Sequence, residues 1–141
     1  MSQPLGQLLR AASLAAEHEL DRRLRQGKFS DVRPAHYVVF QVISGTGDRL
    51  TDLAAKANMT KQSMQYLVDH LEAAGYLRKT PDPADNRGKI IHATDRARRL
   101  SETIAKLIAD IENDWAARLG KADFADLKNL LVRLNISLKG T

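Results

Sequence analysis

Residues 59–71 read MTKQSMQYLVDHL, and the two sides of this stretch decide how the chain folds. On a helix at about 100° per residue, Met64, Leu67, Val68 and Leu71 fall in one sector about 100° wide. Lys61, Gln62, Gln65, Tyr66 and Asp69 gather on the opposite side. The apolar sector requires a core. The polar one offers an ammonium, two carboxamides and a phenol in its first turns, with no carboxylate before Asp69. Thr60 is placed to cap this helix, Met59 and Met64 have the spacing of a hydrophobic staple, and Gly75 supplies a stop signal.

Immediately before it, RLTDLAAKANMT (49–60) predicts a short helix capped by Thr51 and carrying Leu53, Ala54 and Ala57. Asp52 lies near its positive end, and Asn58 suits a left-handed residue that ends it. Two helices joined by about three residues, the first rich in alanine so that the second can cross it closely, form a helix-turn-helix pattern. After Gly75 the periodicity changes. YLRKT (76–80) and KIIHA (89–93) are strand-like, and PDPADNRG (81–88) between them favours a turn and opposes continued pairing, which predicts a β-hairpin with a charged tip.

The flanks are helical. Apolar residues recur at 5, 8, 9, 12, 16, 20 and 24, until Gly27. Pro34 suits the first position of a second helix, AHYVVFQVIS, running to a stop at Gly45. Thr94 is placed to cap a long helix with apolar positions from 97 to 119, which at 1.5 Å per residue spans roughly 35–40 Å, more than a small domain needs for its own core. Gly120 ends it, and a last helix carries Phe124, Leu127, Leu130, Leu131, Leu134 and Leu138.

Composition agrees with a single, mainly helical domain. The 141 residues are 43% hydrophobic but only 5% aromatic, so the core is built from Leu, Ile, Val and Ala. Of the net charge of +5, a surplus of four lies in residues 49–99, where 10 basic side chains face 6 acidic ones. Such a patch is the electrostatic footprint of a polyanion partner or a solvated basic surface. The absence of cysteine excludes disulfides, thiolate zinc sites, a cysteine nucleophile and thiol oxidation sensing. The N-terminus MSQPLGQLLR has no basic region followed by a long apolar run, and PAHYVVFQVISGTG (34–47) is too short and turn-rich to cross a bilayer; no membrane partner and a cytoplasmic location are the expectation. The four histidines, 18, 36, 70 and 92, lack metal-ligand spacing, and no metal or cofactor is expected. Ser63 and His70 stand about 10 Å apart along one helix, too far for a hydrogen-bonded catalytic group. No enzymatic step is expected.

In order and content the chain resembles the MarR family of bacterial transcription regulators over nearly its whole length. The most specific match is LRKTPDPADNRGKIIHATDRARRL (77–100), which is similar to that family's wing and the start of its following helix through Asp82, Pro83, Asp85, Arg87 and Thr94. Ala93 stands where the family usually has leucine, and Ala97 where it usually has glycine; both fit helix and strand packing. The resemblance implies a mainly α fold with a small β-hairpin wing. Residues 34–99 would form the winged helix-turn-helix, and 1–33 with 100–141 the dimerisation helices. It also implies a homodimer, and a small aromatic or anionic effector in the cleft between the dimerisation helices and the DNA-binding lobes, for which His18, Arg22, His36 and Tyr37 are the candidates.

The helix of 59–71 then has a use for its polar side, because a helix entering a major groove needs one face anchored in a core and exposed groups near its N-terminus. Gln62 and Gln65 each offer a donor and an acceptor, which suits adenine. Lys61 reaches guanine or phosphate, and Tyr66 a thymine methyl or phosphate. Thr60, Ser63, Lys79 and Lys89 complete the expected contact set. On the wing, Arg87 between Asn86 and Gly88 suits a narrow minor groove, with Asp85 to orient it or pair with another arginine. The expectation is a homodimeric repressor of a pseudo-palindromic operator in double-stranded DNA. The alternative is a winged-helix module that binds protein and whose basic surface is incidental.

Overall fold

The computed structural model describes residues 2–140 and contains six helices and one two-stranded sheet among them, in the order α1 (Leu5–Arg25), α2 (Pro34–Val42), α3 (Leu50–Lys56), α4 (Lys61–Ala73), β1 (Leu77–Asp82), β2 (Asp85–Ala93), α5 (Asp95–Leu119) and α6 (Lys121–Lys139). One compact unit ends at Ala105 and a second begins at Lys106.

In the first unit, α4 packs on α2, α3 and β1. Its inward side chains are the four that the periodicity selects: Met64, Val68 and Leu71 are fully buried and Leu67 nearly so. Leu53 and Ala54 of α3, Val39 of α2, and Tyr76 and Leu77 complete this core. Thr60 caps α4, its Oγ1 accepting the Ser63 backbone N–H at 3.1 Å. Asn58, at φ 56°, turns the chain between the two helices in the left-handed conformation that asparagine tolerates. Gly75, at φ 87°, ends α4.

Three local expectations are corrected. Arg49, not Thr51, is the N-cap residue of α3, with no side-chain cap bond, and Thr51 lies inside the first turn. The reason is tertiary: Asp48 exchanges both of its backbone hydrogen bonds with Ile91 of β2, at 3.0 and 2.8 Å, so the helix starts directly after this bridge. For the same reason α2 ends at Val42 instead of running on to Gly45. Ile43 is extended, the Ser44 N–H donates to Asp48 Oδ2 at 2.7 Å, and the chain turns through Gly47 into the bridge. Third, PDPADNRG does not interrupt pairing throughout. The Asp82 carboxylate accepts the Ala84 N–H at 2.9 Å and closes a tight turn, so Asp82 pairs with Asp85. The register then jumps to Pro81 opposite Lys89, leaving Asn86, Arg87 and Gly88 in a bulge.

Tyr76 joins α4's C-terminal end to the segments on either side of it. Its hydroxyl donates to Asp31 Oδ1 at 2.6 Å, the Arg96 guanidinium stacks 4.4 Å above its ring, and Arg96 Nη1 donates to the Ala74 carbonyl at 2.7 Å. Thr94 caps α5 by accepting the Ala97 N–H, and its own hydroxyl donates to the Gly75 carbonyl at 2.7 Å.

The second unit holds the later part of α5 and all of α6. Gly120, at φ 100°, separates the two helices, and Lys128 of α6 pairs with Glu112 of α5 at 2.7 Å. No residue of α6 is buried; Leu127, Leu130, Val132, Ile136 and Leu138 are exposed. Among the described residues no helix is long and apolar enough to cross a membrane.

Candidate nucleic-acid interface

The face of α4 opposite its buried stripe is open. Lys61, Gln62 and Tyr66 are exposed, Tyr66 to 76% although it is a large aromatic side chain, and Gln65 is half-buried. Thr60 and Ser63 are partly committed to each other, because the Thr60 hydroxyl also donates to Ser63 Oγ at 2.9 Å. The helix start is thereby rigid, and its dipole adds positive potential to that of Lys61.

Gln65 and Lys61 share a concavity with the hairpin residues Lys79, Asp85, Arg87 and Lys89 and with Arg49 at the start of α3. Two acids shape it. Asp82 is buried, and Arg49 Nε donates to its Oδ2 at 2.6 Å. The Ala84 N–H and then Arg49 hold its pKa below the usual carboxylate range against the opposing effect of burial. Asp85 accepts the backbone N–H of Arg87 at 3.0 Å, which sets the bulge and leaves the Arg87 side chain exposed, with no ion pair among the described residues. Asp85 therefore orients Arg87 through its main chain, and the acid paired with an arginine is Asp82.

Lys79 points elsewhere than its neighbours. Its ammonium lies 3.1 Å from Asp69 and 3.4 Å from Glu72, both on α4. Burial opposes its charge, and these two carboxylates overcome that and raise its pKa. Lys79 ties β1 to the recognition side of α4 while Arg87 and Lys89 remain available. Thus Lys61, Gln65, Arg87 and Lys89 are brought together; Gln62 and Tyr66 stand further round the helix.

The four effector candidates have different surroundings. His18 is exposed on α1, and Arg22 is exposed and paired with Glu19 at 2.6 Å. His36 and Tyr37 are adjacent and buried on α2 but meet different neighbours. The His36 ring stacks on His70 of α4, whereas Tyr37 has Asp21 of α1 nearby and a hydroxyl whose pKa is pushed up to about 12 by burial and then by that charge. Sequence reading missed the His36–His70 stack and the Arg49–Asp82 pair. Each joins residues more than thirty positions apart, which no local spacing reveals.

Residues 30–88, which contain α2, the helix-turn-helix and the wing as far as its bulge, match the model of the MarR family. Over 135 residues the chain is 28% identical to a putative transcriptional regulatory protein for the hcr operon of Thauera aromatica, covering 95% of this chain and 80% of that one. Among solved structures, transcriptional regulator Tm0710 from Thermotoga maritima is 27% identical with a TM-score of 0.70, covering 98% of this chain and 96% of its own. The transcriptional repressor CouR, solved bound to a 23-mer DNA duplex, shares the fold at a TM-score of 0.77 and 23% identity, covering 94% and 92% of the two chains. With its wing and its capped helix α4, residues 30–88 match the MarR family, and over nearly its whole length the chain is similar to bacterial transcription regulators.

Proposed function

We propose that the protein is a homodimeric repressor that binds a pseudo-palindromic operator in duplex DNA and is released by a small aromatic or anionic effector. The observation that carries this reading is the shared concavity in which Lys61 and Gln65 of α4 meet Arg87 and Lys89 of the wing. A rigid helix with a buried back and a polar front suits a major groove, and an exposed arginine on a bulged hairpin suits the adjacent minor groove. Lys61, Arg87 and Lys89 supply phosphate attraction, while Gln62 and Gln65 supply base-edge hydrogen bonds. CouR, which shares this fold, was solved bound to a DNA duplex, and that supports a DNA-binding reading.

Exposed leucines at both ends of the chain, Leu5, Leu8 and Leu9 on α1 and Leu127, Leu130 and Leu138 on α6, support a second copy as partner. Residues 1–33 and 100–141 would join the copies and 34–99 would bind DNA. Two recognition helices related by a two-fold axis would read half-sites about 10 bp apart. An effector that changes their spacing lowers affinity without touching α4. Selection of binding sequences from genomic DNA, paired with sedimentation of the complex, tests this. One inverted-repeat motif bound by two copies is the expected result; a monomer with no sequence preference would overturn it in favour of a protein-interaction module.

A further inference from the structure

Gln65 carries more information than its position on the exposed side of α4. Its Nε2 donates to Asp69 Oδ1 one turn along, at 2.7 Å, and the same oxygen accepts Lys79 Nζ from β1 at 3.1 Å. A carboxylate only accepts hydrogen bonds, so only the NH2 end of the carboxamide can face Asp69. A flipped amide would set its carbonyl oxygen against a negative charge. Asp69 is itself anchored, because Lys79 belongs to another element and is also held near Glu72 at 3.4 Å. The hydrogen bonds from Lys79 and then Gln65 lower the pKa of Asp69 below its ordinary 3.8.

We propose that Asp69 and Lys79 are a positioning pair that fixes the polarity of the Gln65 carboxamide and makes it a reader of adenine in the operator. With one N–H bound to Asp69, Gln65 offers its carbonyl oxygen and its second N–H. Adenine displays the matching edge, a donor amine at N6 beside an acceptor at N7. Guanine displays two acceptors, N7 and O6, and its O6 would meet the Gln65 carbonyl oxygen. An unrestrained glutamine could turn its NH2 group toward guanine; Asp69 removes that option. An isolated i,i+4 Gln–Asp bond on a helix adds only local support, and what separates this one is the ammonium supplied by the wing strand. This inference rests on the DNA-binding reading above and adds which base is read and what enforces it.

The test begins with the operator position whose preference is lost in Gln65→Ala. Adenine there is replaced by 2-aminopurine, which moves the amine out of the major groove, and by 7-deazaadenine, which removes N7. Each replacement is expected to weaken binding of the unaltered protein by about tenfold. Asp69→Ala, which also releases the Lys79 ammonium, should bind random duplex no more weakly than the parent and lose most of the preference for adenine over guanine. Lys79→Met, which retains the aliphatic stem, should shift the preference in the same direction. In a Gln65→Ala background Asp69→Ala should change the preference no further. Sequence-specific binding with guanine favoured at that position, or an adenine preference unchanged in Asp69→Ala, overturns the positioning pair and leaves the proposed function standing. Loss of all sequence preference in the unaltered protein would overturn both.

Discussion

The imidazoles of His36 and His70 lie face to face, with centroids 4.5 Å apart and planes 4° from parallel, and so join the buried side of α2 to the recognition helix. His36 Nδ1 accepts the Arg33 backbone N–H at 3.0 Å, closing the start of α2. Burial first, then His70 and Arg33, lower the His36 pKa below its ordinary 6.5, with Asp31 opposing. Below pH 6.5 the unfolded chain therefore takes up this proton before the folded one does. The contribution of a neutral His36 is complete above that pH and is lost as pH falls toward the depressed folded value. Thermal unfolding should shift to lower temperature between pH 7.5 and 5.5. His70→Phe, which keeps a stacked ring and removes the second imidazole, should reduce the shift; an identical acid response in the variant would exclude His70 electrostatics as a contributor and leave burial of His36 as the cause.

Gly47 sits at φ 90°, and a Cβ there would lie 2.7 Å from both His92 Nδ1 and Ile90 Cγ2 of β2. Gly47→Ala should cost about 1–3 kcal/mol in urea unfolding, because the left-handed turn and the close seat of the wing are strained together. Gly45 has open space where its Cβ would be. Gly45→Ala should stay within about 0.5 kcal/mol of the parent, and equal costs for the two would remove the steric explanation.

Thr60 makes both bonds that begin the recognition helix, accepting the Ser63 N–H and donating to the Ser63 hydroxyl. Thr60→Ala should lower stability by about 1 kcal/mol. Thr60→Asn, which keeps an acceptor, should recover most of it. Amide exchange at Ser63 and Met64 reports whether the loss is local to the cap.

The exposed Arg87 guanidinium should act on DNA through phosphate and minor-groove shape, not through base edges. Arg87→Ala is expected to weaken cognate and random duplexes alike. The slope of log affinity against log salt should become shallower by about 0.9 for each subunit bound, as one phosphate contact is lost. A loss confined to the cognate duplex would mean that Arg87 reads bases.

Leu127 and Leu130 are exposed on α6, none of whose residues is buried. In a monomer, Leu130→Glu would be a surface change worth within about 0.5 kcal/mol. In the proposed dimer it buries a charge, so sedimentation at micromolar concentration should shift toward a single chain and DNA affinity should fall with it.

The sequence by itself determined the helices and most of their ends, because these depend on neighbours a few positions apart. Thr60 and Thr94 each cap the helix that their positions predict, Gly75 ends α4, and the stripe of Met64, Leu67, Val68 and Leu71 is the buried side. The wing was legible as two strand-like runs around a turn, and its place after a helix-turn-helix carried the family resemblance. Tertiary structure alone decided where α2 stops and α3 starts, since the Asp48–Ile91 bridge ties the segment between them to β2. It also decided which charges remain available. Lys79 and Arg87 are both cations on the hairpin, yet one faces the carboxylates of α4 and the other stands exposed in the bulge, and that difference comes from register and the crossing of distant elements. Pairs such as Arg49–Asp82 and Lys79–Asp69 exist because the folded backbone brings together groups that the chain holds far apart, and only the packing of the core fixes that approach.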